Sequence, residues 1–361
     1  MQPPIQKKIK KVVFFGTGGT ISGLSEHKGD SLNYKVGEVG ISELVKGAGA
    51  IKGYGILEDE PNREQTQQAS EGASNCTYDF IFEQICQVDS KDMQFPIWVK
   101  LIERIDFWAK DPDLQGILIT HGTDTLEETA FFLSAMLQKI NPLPAPTVVL
   151  TCAMRPASDP HADGPQNIKD SLSLLLNEQW AHKGVLVVCA GEVHSGAHVQ
   201  KIYTDRVNAF SSLPGETLAS IKDGRVLPNS NLTGLFKINW EQWSQPTLFQ
   251  LSQQLLWPWV EIVQNFVHSG EDAVKALLSY QPETGNKISG IVLAGTGMGS
   301  ASENLVHSLK LAQSAGVTVW QSSKCAFAVL KVRDDLSFYD FHGLSPTKAR
   351  IALTLHLIAK K

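Results

Sequence analysis

Residues 11–23 read KVVFFGTGGTISG: four apolar residues, rich in β-formers, run without a break into three glycines and two threonines. Val12 to Phe15 therefore reads as a buried strand whose carboxyl end is a glycine-rich loop. In an open α/β sheet ligands bind at that edge, and glycines let the backbone approach them closely. A dinucleotide fingerprint begun at Gly16 needs glycine at position 21, which is Ile21. A phosphate loop needs Gly-Lys-Ser/Thr, and this loop has no lysine. What it offers beyond backbone is two hydroxyls, Thr17 and Thr20. That favours chemistry by a threonine over the cradling of a phosphate.

At 361 residues the chain has room for one large domain or, more in keeping with its length, two. A net charge of −5 gives no reason to expect nucleic acid or an anionic membrane surface as a partner. The start, MQPPIQKKIKKVVFFG, is basic and then apolar, but its apolar run stops at four residues and no small-residue cleavage site follows, unlike a signal peptide. No segment has the length needed to span a bilayer. Five scattered cysteines without a CxxC pair read as reduced cytosolic thiols rather than a disulfide frame or zinc site.

Downstream, the polar stretch holding Glu26, His27 and Asp30 and leading to Tyr34 reads as a mobile lid or an ordinary surface loop. Residues 59–74 are polar and suggest an exposed excursion. Phe80 to Val88 reads as a strand ending in Asp89-Ser90-Lys91-Asp92-Met93. Ile97 to Trp108 carries apolar residues at helical spacing. Gly116 to Thr120 is another short strand, running into His121-Gly122-Thr123-Asp124-Thr125. Thr125 and Glu128 have capping-box spacing, which starts a helix there. Thr147 to Thr151 and Val185 to Cys189 are further strands, with Asp163 as the cap of a helix between them and Gly191 to Lys201 trailing from the second. Four β-then-α units of this kind predict a doubly wound, mostly parallel α/β sheet. Strand–helix alternation lapses from about 211 to 252. The chain is therefore divided into an N-terminal domain (1–212) carrying the candidate catalytic residues, a connection (213–252) and a smaller C-terminal α/β domain (253–361).

Several strand ends on one sheet edge present a hydroxyl or a charge: Thr17 and Thr20, Ser90, Thr123 with Asp124, and Lys201. A threonine hydroxyl is a weak nucleophile until a neighbour takes its proton. A desolvated lysine beside Thr123 would supply that role, and Asp124 would hold an ammonium, either that of Lys201 or that of a substrate. Single residues of these types are also common caps and surface groups. His194 and His198 are four apart, but Gly191 and Gly196 argue against a metal-binding helix, and HExxH is absent. The GTGMG run at 295–299 reads equally as a nucleotide loop or a tight strand exit.

TGGTISG at 17–23 and THGTDTLEETAFFL at 120–133 resemble the two signature motifs of bacterial-type L-asparaginases. VDSKDM (88–93), AMRP (153–156), ADGPQN (162–167) and the Val185–Lys201 stretch are similar to that family too, so the resemblance spans most of the chain. It is nearest to the cytosolic type I enzymes, which typically have Asp-Ser at the positions of Asp89 and Ser90. The resemblance implies an amidohydrolase acting on L-asparagine as its small-molecule substrate. Thr20 would be the nucleophile, Tyr34 would assist its proton transfer, and Thr123, Asp124 and Lys201 would form a second catalytic cluster. Asp89, Ser90, Lys91, Thr123, Asp124 and Ala153 would contact substrate, with Ser90 and the backbone around Asp89 on its α-carboxylate and Asp124 on its α-ammonium. No metal or organic cofactor is implied, and neither is a nucleic-acid or membrane partner. A cytoplasmic homodimer or homotetramer is. The chain departs from the pattern at Lys91, where many relatives have glutamine or serine, and at Met298, in a turn where secreted relatives place an asparagine. Lys331 to Asp335 stands where those relatives supply a glutamate to a neighbouring subunit's site.

Two other functions compete. An ammonia-supplying subunit of a tRNA-dependent amidotransferase would carry an extra N-terminal β domain, where ten residues precede the first strand here. A non-catalytic amino-acid sensor would bind asparagine without releasing ammonia.

Overall fold

The computed structural model describes residues 8–25, 34–52, 76–140, 145–212, 217–229, 238, 240–269, 271–326, 338–340 and 344–361. The polar segments 26–33 and 59–74 and the Lys331–Asp335 stretch lie outside the described residues. The chain divides into two compact units, residues 1–235 and 236–361.

The first unit is built on an eight-stranded sheet. From one edge, its order is Cys76–Val88, Lys8–Gly18, Leu114–Thr120, Val148–Thr151, Val185–Cys189, Glu192–Ser195, Ala219–Lys222 and Arg225–Pro228. The first five run parallel and the last three alternate antiparallel. Strand Lys8–Gly18 pairs on both sides, with Val13 opposite Ile81 and Ile117. Its apolar run is buried on both faces, as parallel strands covered by helices must be. Phe14 packs against Phe82 and Phe80, ring centroids 5.1 and 5.9 Å apart. The strand begins four residues before its apolar run. Its lysines are accommodated at the start of the sheet, where Lys11 Nζ lies 2.7 Å from Asp111 and Lys10 Nζ donates to Gln115 at 2.8 Å. The same pairing extends the edge strand back to Cys76, ahead of the Phe80 expected from its sequence.

Helix Phe95–Ala109 buries Trp98, Leu101, Ile102 and Ile105, the i, i+3, i+4, i+7 face of an amphipathic helix. Truncating Leu101, which is fully buried, to alanine would cost about 2–5 kcal/mol. Helix Leu126–Ile140 begins one residue past Thr125 and is buried along most of its length.

Two local expectations are corrected. Gly191 to Lys201 does not simply trail away. Ala190 (φ 51°) and Gly191 (φ 73°) turn the chain back, so that Glu192–Ser195 returns antiparallel to its predecessor and Val199–Lys201 pairs with Phe210–Ser212. The stretch read as a connection, 213–252, contributes Ala219–Lys222 and Arg225–Pro228 to the sheet as an edge hairpin. These strands are short and polar, so hydrophobic runs do not mark them.

The second unit has a four-stranded parallel sheet ordered Trp259–Gln264, Ile288–Gly295, Thr318–Ser323 and Tyr339–Asp340. Its core joins Ile291, Leu293, Val319 and the Leu305–Leu309 side of helix Glu303–Ser314. The last helix, Pro346–Ala359, is capped by the Ser345 hydroxyl, which accepts from the Lys348 amide. No described helix is long and apolar enough to cross a membrane.

Candidate active site

Three neighbouring parallel strands, Cys76–Val88, Lys8–Gly18 and Leu114–Thr120, end at one edge of the larger sheet. Lys8–Gly18 lies in the middle, and the chain crosses over it between the other two. That reversal opens the crevice at which ligands bind in α/β sheets.

The middle strand runs into Gly18 (φ 99°) and Gly19 (φ 84°, ψ 178°), then a single 3₁₀ turn, Thr20–Ser22. A Cβ on Gly19 would overlap the Gly122 backbone, and one on Gly122 would come within 2.7 Å of Ser90 Cβ. Glycine at both positions thus lets the three loops close on one another. Thr20 Oγ is 2.7 Å from the Tyr34 hydroxyl. Tyr34 is held by the Tyr34–Lys35 strand, paired with Leu24–Ser25. Thr17 is not in this cluster: it is buried, and its hydroxyl donates to the Thr120 carbonyl at 2.8 Å, tying two strands together.

On the other side of the Gly19–Gly122 contact, Lys201 Nζ donates to Thr123 Oγ at 2.9 Å and to Asp124 Oδ1 at 2.7 Å. Lys201 arrives from the turned-back segment, and its amide donates to Glu127 Oε2 at 2.6 Å, which fixes it to the first turn of the helix after Asp124. Thr123 is 6 % exposed, whereas the Asp124 side chain is 54 % exposed and open to a soluble ligand.

Ser90 links the third loop to this cluster. Its hydroxyl accepts from the Asp124 amide at 3.1 Å, and its carbonyl accepts from the Thr125 hydroxyl at 2.7 Å. The Ser90 hydroxyl keeps its own proton to donate. Asp89 caps the 3₁₀ turn Ser90–Asp92, accepting from the Lys91 amide at 3.3 Å. The Lys91 ammonium is turned onto Asp89 and lies 3.4 Å from Asp92, and the Asp89 carboxylate raises its pKa. The notable point is that Lys91 is already paired.

Ala153 follows strand Val148–Thr151 and is buried beside Ile21, within one core cluster. Asp163 occupies the cap position expected of it, but its side chain does not bond the helix amides. Its carboxylate accepts from Met154 N and Arg155 N, both at 3.0 Å, and so holds the loop that carries Ala153. The Asp163 backbone is already helical (φ −85°, ψ −18°) rather than extended as in a side-chain-capped N-terminus, so its carboxylate goes to the loop amides instead of the helix amides.

His121, one residue past the strand, is wholly buried, and burial lowers its pKa to about 4. Its Nδ1 is 2.7 Å from the Gly122 carbonyl, and its Nε2 is 2.9 Å from the Thr129 hydroxyl. Trp98 Nε1 donates to that same hydroxyl at 2.8 Å. His194 is likewise buried, with Nδ1 2.8 Å from Ser212 Oγ, and burial lowers its pKa to about 4. Among the described residues no group of three or more His, Cys, Asp or Glu could hold a metal ion. The GTGMG run forms a tight exit from strand Ile288–Gly295, closed by the Thr296–Ser300 bridge, with Met298 exposed.

Sequence reasoning missed Glu127, Asp163's contacts and the Trp98–Thr129–His121 chain. Glu127 alone carried a signal, as an acid in the first turn of a predicted helix, but its partner 74 residues on did not.

The family models for the asparaginase N-terminal domain and the glutaminase/asparaginase C-terminal domain match residues 11–233 and 259–361. The chain is 29 % identical to L-asparaginase 2 of Bacillus subtilis (strain 168) over 355 residues, covering 98 % of this chain and 84 % of that protein. It is 30 % identical to the glutaminase-asparaginase of Pseudomonas fluorescens biotype A over 350 residues, covering 95 % and 85 %. The crystal structure of a "probable cytoplasmic L-asparaginase" from Campylobacter jejuni superposes with a TM-score of 0.76 at 30 % identity, covering 96 % and 95 %.

Proposed function

Because the chain belongs to the asparaginase family, we propose that it is an L-asparaginase, an amidohydrolase converting L-asparagine and water to L-aspartate and ammonia. The observation that carries the reading is the Lys201 ammonium, 2.9 Å from Thr123 Oγ and 2.7 Å from Asp124, on the sheet edge that also bears Thr20 against Tyr34. In this reading Thr20 Oγ attacks the side-chain amide carbon while its proton passes through the Tyr34 hydroxyl, which takes it and hands its own proton on toward the leaving nitrogen. The oxygen becomes an oxyanion, for which backbone amides of the two glycine turns are fixed donors needing little reorganisation. The C–N bond then breaks, the nitrogen leaves as ammonia with the transferred proton, and a β-aspartyl ester remains on Thr20. Water attacks that ester, releasing L-aspartate and restoring the hydroxyl.

Thr123, Asp124 and Lys201 serve both steps as a proton-handling cluster. Lys201 Nζ donates to both Thr123 Oγ and Asp124 and so ties the three groups into one hydrogen-bonded unit. Asp124 also faces the substrate α-ammonium. Ser90 donates to the α-carboxylate, with Asp89 and Lys91 flanking it in the same turn, and Ala153 lines the wall. No metal or organic cofactor enters any step.

An ammonia-release assay on L-asparagine, L-glutamine and D-asparagine tests this. L-Asparagine is turned over fastest, and Thr20→Ala and Thr123→Val each nearly abolish release while the fold survives. Wild-type rates in both variants would refute the residue assignment, and asparagine binding without ammonia release would favour an amino-acid sensor. We further propose a cytoplasmic homodimer or homotetramer. The Asp89-Ser90 pair and the Campylobacter neighbour support the compartment. Light scattering of the purified protein tests the assembly, which a monomer at assay concentration would contradict.

A further inference from the structure

We infer that His121 is a positioning residue: it fixes the plane of the Gly122–Thr123 peptide so that the Thr123 amide N–H is a preset donor to the substrate's amide oxygen. The inference rests on the amidohydrolase reading for its kinetic consequence, though not for its geometry. The Gly122 carbonyl can only accept, so the 2.7 Å contact places the histidine proton on Nδ1. Nε2 must then accept, and the Thr129 hydroxyl at 2.9 Å supplies the proton. Trp98 Nε1, which can only donate, fills the remaining side of that hydroxyl at 2.8 Å. Every member of the chain Trp98 → Thr129 → His121 → Gly122 therefore has one permitted orientation, and one tautomer of His121 satisfies it.

The consequence falls on the next bond. In a trans peptide the carbonyl and the N–H point in opposite directions across one rigid plane. Holding the Gly122 carbonyl against the buried imidazole therefore turns the Thr123 N–H the other way. Among the described residues no acceptor takes that N–H. Glycine at 122 has no side chain of its own to resist rotation of this plane, so the hydrogen bond from the buried His121 ring is what orients the carbonyl. The His121 amide is itself tied to the Thr151 carbonyl at 2.8 Å, which anchors the ring's own backbone. Packing supports the far end: the Trp98 ring stacks on Phe132 at 4.8 Å.

Two substitutions separate this role from simple core filling. Asparagine can place its amide nitrogen where Nδ1 stands and keep the bond to Gly122, whereas leucine fills the space and loses it. His121→Leu is expected to lower kcat on L-asparagine about five- to fiftyfold, below the 10²–10³ of a deleted oxyanion donor because the N–H is loosened rather than removed. Its KM stays within about twofold, and His121→Asn recovers most of the lost kcat. Thr129→Val, which removes the partner of Nε2 and frees the tautomer while leaving the histidine in place, gives a smaller fall in kcat in the same direction and serves if the leucine variant does not fold. A crystal structure of a folded variant reads the geometry without activity: the Gly122–Thr123 plane is rotated in His121→Leu and native in His121→Asn. Wild-type kcat in both His121→Leu and Thr129→Val, an equal loss in His121→Leu and His121→Asn, or an unrotated plane in His121→Leu would each overturn the inference. Should the wild-type protein release no ammonia from L-asparagine, the amidohydrolase reading fails, and the crystal structures alone decide the positioning role.

Discussion

Lys201→Met keeps the length of the side chain while deleting its charge and its three donors. Two contacts are lost, at 2.9 Å to Thr123 Oγ and 2.7 Å to Asp124 Oδ1. The Lys201 side chain is 19 % exposed and its partner's 54 %, so water screens the pair and its contribution to stability is at most about 1 kcal/mol. On a unit of this size that moves the melting temperature by about 2–4 °C or less. Catalysis should respond on a different scale. A positioned acid–base group supplies about 10²–10⁴ in rate, equivalent to roughly 3–5 kcal/mol of barrier. The variant is therefore expected to melt close to wild type yet lose at least a hundredfold in kcat. Ammonia release at saturating L-asparagine, beside a melting curve of the same sample, reads both quantities. A kcat within threefold of wild type would refute the proton-handling role of the cluster. A melting temperature lowered by ten degrees would instead make Lys201 a structural residue.

Three further outcomes are expected. Tyr34→Phe removes the hydroxyl 2.7 Å from Thr20 Oγ through which the nucleophile's proton passes, and should lower kcat by about 10²–10⁴; a loss of tenfold or less would show that the bond only positions Thr20. Gly19→Ala forces a side chain onto a φ of 84° and into the Gly122 backbone, so stability falls by more than the 1–3 kcal/mol of backbone strain and activity collapses; a native melting temperature with full activity would contradict the packing of the two loops. The third concerns pH. Burial holds His121 and His194 near pKa 4, whereas an unfolded chain protonates them near 6.5. Between those values the unfolded chain binds the extra protons, so this stabilisation is complete above pH 6.5 and is lost as pH falls toward 4, by at most about 3 kcal/mol per histidine. Asp170 and Glu192, which burial holds above the usual carboxylate range, act the opposite way at lower pH. The effect is therefore read between pH 7 and 5.5, where the urea midpoint should fall and His194→Gln should flatten the trend; a level midpoint in wild type would contradict it.

The site's frame was legible because it depends on local grammar. A short apolar run followed by glycines and hydroxyls announces a strand end, and two such runs, at 12–20 and 116–123, placed Thr20 and Thr123 on one sheet edge. Ser90 was legible for the same reason. What escaped depends on partners distant in sequence. Glu127 reaches the Lys201 amide 74 residues away, and Asp163 gives its carboxylate to the 154–155 amides rather than to the helix it precedes. The buried Trp98–Thr129–His121 chain joins two helices to a loop, and helical periodicity treats Trp98 and Thr129 only as core positions. The edge hairpin at 219–228 went unread because its strands carry little apolar signal. A lysine in strand Lys8–Gly18 looks out of place until Asp111 and Gln115 are seen beside Lys11 and Lys10.

The account stands or falls on which hydroxyl attacks the amide carbon. Incubating the protein with an electrophilic L-asparagine analogue, then mapping the modified peptide by mass spectrometry, answers that directly. The account predicts one label, on Thr20, protected by L-aspartate and absent from Thr20→Ala. A label on Thr123 instead, with Thr20 unmodified, would contradict it.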